Sequence, residues 1–260
     1  MDLKNKVALV TGAGRGWGQS VALAYARYGA KVIVVSRTQS EIDHTLSLIH
    51  EEGGHAIGKS VDVADDMALQ SLHDWVIGTY NRLDVLVNNA AVLILNEFEH
   101  LTQHEIDLTL NVNLRAVLML CKFFLPDMIR QGEGSIINVS SNAGVMGFEK
   151  ESIYATCKFG LEGFTKSLAM EVKKHNIAVN TITPGGMDAG VRIKPTSLTQ
   201  QDYDALSEEE KKQWVDSIVS TDAFVFLAVQ NGNGVTGERI MAYELSEKIH
   251  QHGWQDVYPL

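Results

Sequence analysis

The chain has 260 residues, a formal net charge of −10 and 45% apolar residues. This length suits one α/β domain or two small ones, and the apolar content is enough for a large core. The acidic balance argues against general nucleic-acid binding, and no apolar run reaches the roughly 18 residues that a membrane-spanning helix needs. The first residues enter an apolar strand pattern without a signal-peptide cleavage region, and the two cysteines lack zinc or redox-pair spacing. We therefore expect a cytoplasmic protein without a metal site.

Short β-branched runs alternate with longer helical patterns along the chain. Strand patterns cover 7–11, 31–36, 55–61, 84–88, 135–140 and 177–182, with a seventh near 239–242. Helical patterns cover roughly 17–28, 39–52, 65–80, 103–130 and 153–174. Several strands are apolar without alternation, which is typical of strands covered on both faces. The order predicts right-handed βαβ units and a doubly wound parallel α/β sheet of about seven strands, a Rossmann fold with helices on both faces.

One stretch, 186–216, interrupts this alternation. It is polar, contains Pro195 and ends in the charge run SEEEKK, which by itself reads as a solvated surface helix. The whole stretch is too long for an ordinary loop in a compact domain, and such insertions often act as lids. We expect one domain over 1–260, with a substrate lid at 186–216.

A glycine-rich turn, TGAGRGWG, follows the first strand and opens the first helix. Gly12, Gly16 and Gly18 permit a tight turn and a close approach of the backbone to a ligand. The free N–H groups and the dipole of the following helix favour a pyrophosphate there. Such turns also occur without ligands, but the strand–turn–helix context favours dinucleotide binding.

The end of the second strand bears on the choice of cofactor. An acidic residue there would bind the 2′-hydroxyl of NAD, whereas this chain has Ser36 followed by Arg37. A guanidinium donates charge-assisted hydrogen bonds to a phosphate, and Arg15 in the glycine turn can approach the same group. The pattern favours NADP(H), with NAD as the alternative. The competing interpretation is that both arginines are ordinary exposed surface residues.

The stretch YATCK places Tyr154 and Lys158 four residues apart on one face of a predicted helix. A free phenol has a pKa of about 10, and a neighbouring ammonium lowers it by stabilising the phenolate. Tyr154 is then a candidate general acid/base for interconverting a carbonyl and an alcohol. Ser141 ends a predicted strand at the carboxyl edge of the sheet, where its hydroxyl can hold the substrate oxygen. In isolation, the same spacing would indicate only a surface Tyr–Lys pair.

These motifs, with NNAA at 88–91 and PG at 184–185, resemble the short-chain dehydrogenase/reductase family in its compact single-domain branch. The resemblance covers about residues 5 to 185. Its thirteen-residue spacing from serine to tyrosine selects Ser141 over Ser140, which we expect to cap or pack locally. The resemblance also implies that Lys158 hydrogen-bonds the nicotinamide ribose.

The resemblance assigns further roles. Asn113 would lie at a local helix bend, where its backbone carbonyl holds a water that relays protons through Lys158. Without the resemblance, an asparagine in this apolar helical pattern also fits a packing role. Asp62 would accept a hydrogen bond from the adenine amino group, although it also reads as a turn aspartate. The full set of expected cofactor contacts is Gly12, Arg15, Gly16, Trp17, Gly18, Ser36, Arg37, Asp62, Val63, Asn89, Ala90, Tyr154, Lys158, Pro184 and Gly185.

The chain departs from the family pattern in four places. Ala91 replaces a usual glycine, which costs about 1 kcal/mol if the backbone there needs φ > 0. Trp17 replaces a small aliphatic residue and needs room under the first helix or at the cofactor mouth. The threonine common after Pro-Gly is absent, and so is the Gly-Gly that often closes the last strand.

Helices 103–130 and 153–174 are long and carry extra apolar or small residues. The equivalent pair in the family forms a four-helix interface, which implies a homotetramer or at least a homodimer. Alternatively, the chain itself covers these faces.

Together these observations predict an NADP(H)-dependent oxidoreductase that moves a hydride between the nicotinamide and a carbonyl or secondary alcohol. Its catalytic set would be Asn113, Ser141, Tyr154 and Lys158. The related epimerases and dehydratases need a sizeable C-terminal substrate domain, and only some 75 residues follow Pro184. A cofactor-sensing regulatory protein is the non-enzymatic alternative, but it should have lost part of the tetrad. The sequence does not identify the substrate.

Overall fold

The computed structural model describes residues 1–185, 192–193, 203–211, 214–254 and 256–257. Seven of its strands are β1 (Val7–Thr11), β2 (Lys31–Ser36), β3 (His55–Ser60), β4 (Val85–Asn88), β5 (Gly134–Val139), β6 (Ile177–Thr183) and β9 (Arg239–Met241). They form one parallel sheet in the order β3-β2-β1-β4-β5-β6-β9. The predicted fold class is confirmed. The strand order reverses between β1 and β4, which opens a crevice at the carboxyl edge where ligands of such folds bind.

Helices lie on both faces of this sheet. The α-helices of the described residues are α1 (Gly16–Arg27), α2 (Gln39–Glu51), α3 (Asp66–Tyr80), α4 (Gln103–Leu110), α5 (Ala116–Gln131), α6 (Ser152–Val172), α7 (Glu208–Lys211), α8 (Thr221–Ala228) and α9 (Ala242–His252), of which α7 is not among those that cover the sheet. A π-helical segment, Asn111–Arg115, joins α4 to α5. A separate two-stranded pair joins β7 (Arg192–Ile193) to β8 (Trp214–Val215).

Two apolar clusters cover the two faces and explain the non-alternating strands. Val10 and Val34 pack into one cluster with α1, α2, α8 and α9, whereas Leu9 and Ile33 pack into the other with α3, α5 and α6. Since successive side chains of a strand point to opposite faces, both sets are buried only because helices cover both sides.

The helical run Gln103–Gln131 is long and apolar enough to cross a membrane by length and composition. The sequence analysis predicts no such run, because polar residues interrupt the apolar ones between 103 and 131. In the structure the run is a core helix: Leu120, Phe124 and Met128 are buried against the sheet. Buried helices of globular proteins pass the same compositional test, so the observation is weak evidence for a membrane span.

The structure bears on two further expectations, the backbone strain at Ala91 and the lid at 186–216. Among the described residues, the non-glycine residues with positive φ are Asn5, Asn81, Lys150 and Asn176, so Ala91 does not carry the backbone strain that replacing a glycine would cause. Most of the expected lid at 186–216 lies outside the described residues, since 186–191, 194–202 and 212–213 are not part of the description.

Candidate active site

The glycine turn is fastened to the neighbouring strand β4. Asn89 Nδ2 donates to the carbonyls of Thr11 and Gly12 at 2.9 and 3.3 Å. In return, Thr11 Oγ1 accepts from the backbone N–H groups of Asn89 and Ala90 at 3.0 and 3.1 Å. The ends of β1 and β4 are thereby held together at the crevice.

The turn leaves no room for side chains where a nucleotide backbone would lie. Gly12 and Gly16 have φ of +65° and +60°, and a Cβ at Gly18 would lie 2.4 Å from the Gly12 carbonyl oxygen. The first turn of α1 has no acidic residue, and its N-cap, Arg15, makes no side-chain capping bond. Its first N–H groups are therefore available to an anion, so these residues fit a dinucleotide pyrophosphate.

The cleft beside this turn brings most of the predicted cofactor contacts together. Its lining includes Gly12, Arg15, Gly16, Trp17, Gly18, Ser36, Arg37, Asp62, Val63, Asn89 and Ala90. Asp62 is exposed and its Oδ1 accepts from Ala64 N at 3.0 Å, so its carboxylate already closes a local turn. Pro184 and Gly185 follow β6 at the same edge of the sheet, and Gly185 has a φ of +90°.

The Trp17 side chain packs beneath α1, one of the two places where the sequence analysis expects it to find room. Its Nε1 donates to Ser220 Oγ at 2.8 Å, and its ring packs edge-on against Phe224 with centroids 4.7 Å apart. The indole therefore connects α1 to α8, and its other side lines the cleft.

One charged residue of the cleft was missed by the sequence analysis. Glu41, in the first turn of α2, lines the cleft beside Ser36 and Arg37. The only signal was its place one helical turn after the predicted phosphate residues.

Helix α6 brings the candidate catalytic groups to the end of β5. Lys158 is buried, and its Nζ donates to the Val139 carbonyl at 2.8 Å. The same Nζ lies 5.3 Å from the centroid of the Tyr154 ring. Ser141, two residues after the end of β5, hydrogen-bonds Tyr154. Of the two local roles expected of Ser140, the structure shows packing, because Ser140 is buried. The local cap is made by Ser141, whose Oγ accepts from Ala143 N at 3.1 Å.

The electrostatics of the pair differ from the sequence expectation. Burial raises the pKa of Tyr154 to about 12, and the hydrogen bond with Ser141 lowers it only in part. Burial also lowers the pKa of Lys158 to about 8, while the charges of Cys157 and Glu162 oppose that change. The lowering of the phenol pKa that the sequence predicts beside Lys158 is therefore not seen in the chain alone, and it stays a prediction for the complex with the cofactor. Removal from water outweighs the attraction between the two groups.

An ion pair between Arg239 and the buried Glu162 holds the Ser141 loop in place. Arg239, at the start of β9, donates to Glu162 Oε1 at 2.8 Å, to the Ser141 carbonyl at 3.1 Å and to Asn142 Oδ1 at 3.0 Å. Glu162 also accepts from Ser140 Oγ at 2.5 Å and from Thr181 Oγ1 at 2.8 Å. Glu162 lies one turn after Lys158 on the same face of α6, a spacing that could have marked it in the sequence.

Asn113 lies in the π-helical segment between α4 and α5 and is buried. Its side chain makes two hydrogen bonds with the backbone of Val92: Nδ2 donates to the carbonyl at 2.7 Å, and Oδ1 accepts from the N–H at 2.9 Å. The asparagine therefore fixes the loop after β4. A π-helical segment displaces the regular backbone bonds, and such segments are frequent at functional sites.

Comparison with known protein families shows the family of this chain. Residues 6–199 match the family described as short chain dehydrogenase. The chain belongs to the short-chain dehydrogenase/reductase family.

Its relatives differ in their substrates. The chain is 40% identical over 185 residues to L-xylulose reductase of Mesocricetus auratus, covering 71% of this chain and 72% of the relative. It is 30% identical over 249 residues to 3-oxoacyl-(acyl-carrier-protein) reductase of Vibrio cholerae, covering 92% and 96%. A metagenomic short-chain oxidoreductase solved in complex with NADP has a TM-score of 0.77 and 28% identity, covering 92% of this chain and 98% of that chain.

Replacing Arg239 by methionine tests the buried ion pair. The change leaves the Glu162 carboxylate buried without its cation, so we expect the free energy of unfolding to fall by about 3–5 kcal/mol in urea denaturation. Arg115→Met is the matched control, because Arg115 pairs with Asp66 at an exposed position; there we expect a loss of about 0–1 kcal/mol. Similar losses in the two variants would contradict the importance of the buried pair.

Proposed function

We propose that this protein is an NADP(H)-dependent oxidoreductase that interconverts a carbonyl and a secondary alcohol. The observation that carries the proposal is the meeting of Tyr154, Ser141 and Lys158 at the carboxyl edge of the sheet that also holds the glycine-turn cleft. The phenol and the serine hydroxyl hydrogen-bond each other, so one substrate oxygen can contact both.

When bound, the cofactor supplies or accepts the hydride. Tyr154 Oη gives its proton to the substrate oxygen in reduction and takes it back in oxidation. Ser141 Oγ holds that oxygen in place. Lys158 Nζ, beside the Tyr154 ring, stabilises the phenolate and hydrogen-bonds the nicotinamide ribose. Asn113 supports the proton relay through its backbone carbonyl at the π-helical segment.

The preference for NADP(H) is supported by the residues that follow β2. Ser36 and Arg37 line the cleft, and no acidic residue occupies those two positions. Arg15 is exposed at the opposite side of the same cleft, where its guanidinium can bind a phosphate. The similar metagenomic oxidoreductase was solved with NADP.

The substrate has an apolar part next to its carbonyl. Two loops flank the Tyr154 region and are joined by a hydrogen bond from Asn96 N to the Lys150 carbonyl at 3.2 Å. They expose large apolar side chains, which a substrate would cover: Leu93, Leu95, Val145, Met146 and Phe148. The lid expected at 186–216 lies mostly outside the described residues and stays a prediction.

We also propose that two copies associate through α5 and α6, as a homodimer or as part of a homotetramer. Phe159 and Met170 of α6 are 50% and 83% exposed, which is unusual for large apolar side chains on a long helix.

We further propose that the protein is cytoplasmic, because its two cysteines are buried free thiols, which suit a reducing compartment.

Replacing Tyr154 by phenylalanine tests the acid/base role. With NADPH and a panel of ketones and diketones, we expect turnover to fall at least about 100-fold, because the proton donor is lost. The affinity for NADPH should stay within about twofold, since the ring remains. Tyr80→Phe, at the opposite edge of the sheet, is the control and should leave turnover unchanged. Full activity of the Tyr154 variant would exclude the proposed mechanism, and NADPH binding without turnover by the wild type would favour a sensor.

Replacing Arg37 by aspartate tests the choice of cofactor. The variant puts a negative charge where the 2′-phosphate would lie, so the dissociation constant for NADPH should rise about 100-fold, and that for NADH less than about threefold. Lys31→Asp makes the same charge change at the amino end of β2 and should alter neither. Equal losses for both cofactors in Arg37→Asp would defeat the phosphate assignment.

The buried lysine predicts a pH dependence. The pKa of Lys158 is lowered to about 8, so its side chain is a fully protonated ammonium well below pH 8 and loses its proton as the pH rises through that value. We therefore expect kcat/KM for carbonyl reduction to be level below about pH 8 and to fall above it. Lys158→Arg keeps its charge, so any activity that it retains should not fall in this range. A level profile to pH 10 in the wild type would contradict the role of the ammonium.

A further inference from the structure

A carboxylate lies in the part of the cleft that the 2′-position of the adenosine ribose would occupy. Glu41 Oε2 accepts a hydrogen bond from Ser36 Oγ at 3.3 Å, and its Oε1 lies 3.6 Å from Arg15 Nε. Ser36 and Arg15 are two of the three groups that would bind a 2′-phosphate. An anion of the chain itself therefore already contacts them.

The fold makes room for this carboxylate through Gly14. A Cβ at Gly14 would lie 2.8 Å from Glu41 Cβ, 2.9 Å from Ser36 Oγ and 3.0 Å from Glu41 Oε2. Any other residue at position 14 would thus push Glu41 and Ser36 away from the glycine turn. The amino-terminal dipole of α2 also favours a carboxylate in its first turn. The glycine turn and the start of α2 together place Glu41 in the cleft.

The ion pair between Glu41 and Arg15 is weak enough for a ligand phosphate to take the place of the carboxylate. The side chain of Arg15 is 67% exposed and that of Glu41 is 30% exposed, so water and salt screen their attraction. A phosphate monoester carries a charge of about −1.5 to −2 and is repelled by a carboxylate in the same cleft. A ribose 2′-hydroxyl is neutral and can donate a hydrogen bond to that carboxylate. The same side chain therefore opposes one cofactor and favours the other.

We propose that Glu41 is a specificity-determining residue. It competes with the 2′-phosphate of NADP(H) for Ser36 and Arg15, and it accepts a hydrogen bond from the 2′-hydroxyl of NAD(H). The inference rests on the nucleotide site of the proposed function but not on its acid/base chemistry. The ratio of the affinity for NADP(H) to the affinity for NAD(H) is therefore smaller than Arg15 and Arg37 alone would give. It also follows that the site binds NAD(H).

Glu41→Gln tests this role because it keeps the shape of the side chain and removes the charge. The ligands are adenosine 2′,5′-bisphosphate and 5′-AMP, which carry the 2′-phosphate or the 2′-hydroxyl without a nicotinamide. By calorimetry, we expect the dissociation constant for the bisphosphate to fall about tenfold. That for 5′-AMP should rise about two- to fourfold, because the amide is a weaker acceptor than the carboxylate.

Asp43→Asn is the matched control. Asp43 is exposed on α2 two residues further on, where it accepts a hydrogen bond from Gln39, so the variant removes the same charge outside the cleft. Neither dissociation constant should change more than about twofold. Glu41→Ala provides a second variant without the carboxylate and should also tighten binding of the bisphosphate.

The outcomes separate this inference from the proposed function. If Glu41→Gln changes both affinities equally, changes neither, or matches Asp43→Asn, Glu41 does not determine specificity, although the nucleotide site stands. If the wild type binds neither fragment, the nucleotide site itself is wrong and the inference fails with it. A gain confined to the bisphosphate supports the role of Glu41 whatever the result with Tyr154→Phe.

Discussion

The hydrogen bond from the Lys158 ammonium to the Val139 carbonyl is the constraint on which the candidate site depends. It ties the middle of α6 to the last residue of β5 at 2.8 Å, inside the protein. One turn earlier on α6, Tyr154 then reaches Ser141 just beyond the same strand. Because the carboxyl ends of β1, β4 and β5 are adjacent in the sheet, this attachment also brings α6 to the edge that carries the glycine turn.

The burial of this site has an electrostatic consequence. Burial disfavours the charged forms of both residues, which lowers the pKa of Lys158 to about 8 and raises that of Tyr154 to about 12. Tyr154 is thus a weak acid in its protein surroundings, and the ammonium beside its ring does not reverse this. The positive ring of oxidised nicotinamide would be a second cation near the phenol. The proposed chemistry needs both charges, one from the chain and one from the cofactor.

Local patterns in the sequence predicted the strands, the glycine turn and the Tyr154–Lys158 pair. Each of these depends on residues close together in the chain: apolar runs, a strand–turn–helix order, or a spacing of one helical turn. The ends of the elements shifted by a residue or two, as for β6, which extends to Thr183.

The features that the sequence did not predict depend on contacts between distant elements. Arg239 meets Glu162 only because β9 pairs with β6 in the sheet, beneath α6. Glu41 enters the cleft because Gly14 lets α2 approach the first turn closely. The spacing in the sequence gives the charge partner of Tyr154 but not the burial that raises its pKa in the chain alone. Most of the lid expected at 186–216 lies outside the described residues.

In the proposed mechanism, the phenol becomes an effective acid when the chain and the cofactor place two positive charges beside it. The most direct test of this mechanism is the pKa of Tyr154 itself, measured by NMR titration of tyrosine labelled with ¹³C at Cζ, with Tyr154→Phe assigning the resonance. We expect this pKa to be well above that of a free phenol in the protein alone and to fall by at least about two units when NADP⁺ is added in excess. A Tyr154 pKa that does not change on addition of NADP⁺ would contradict the account.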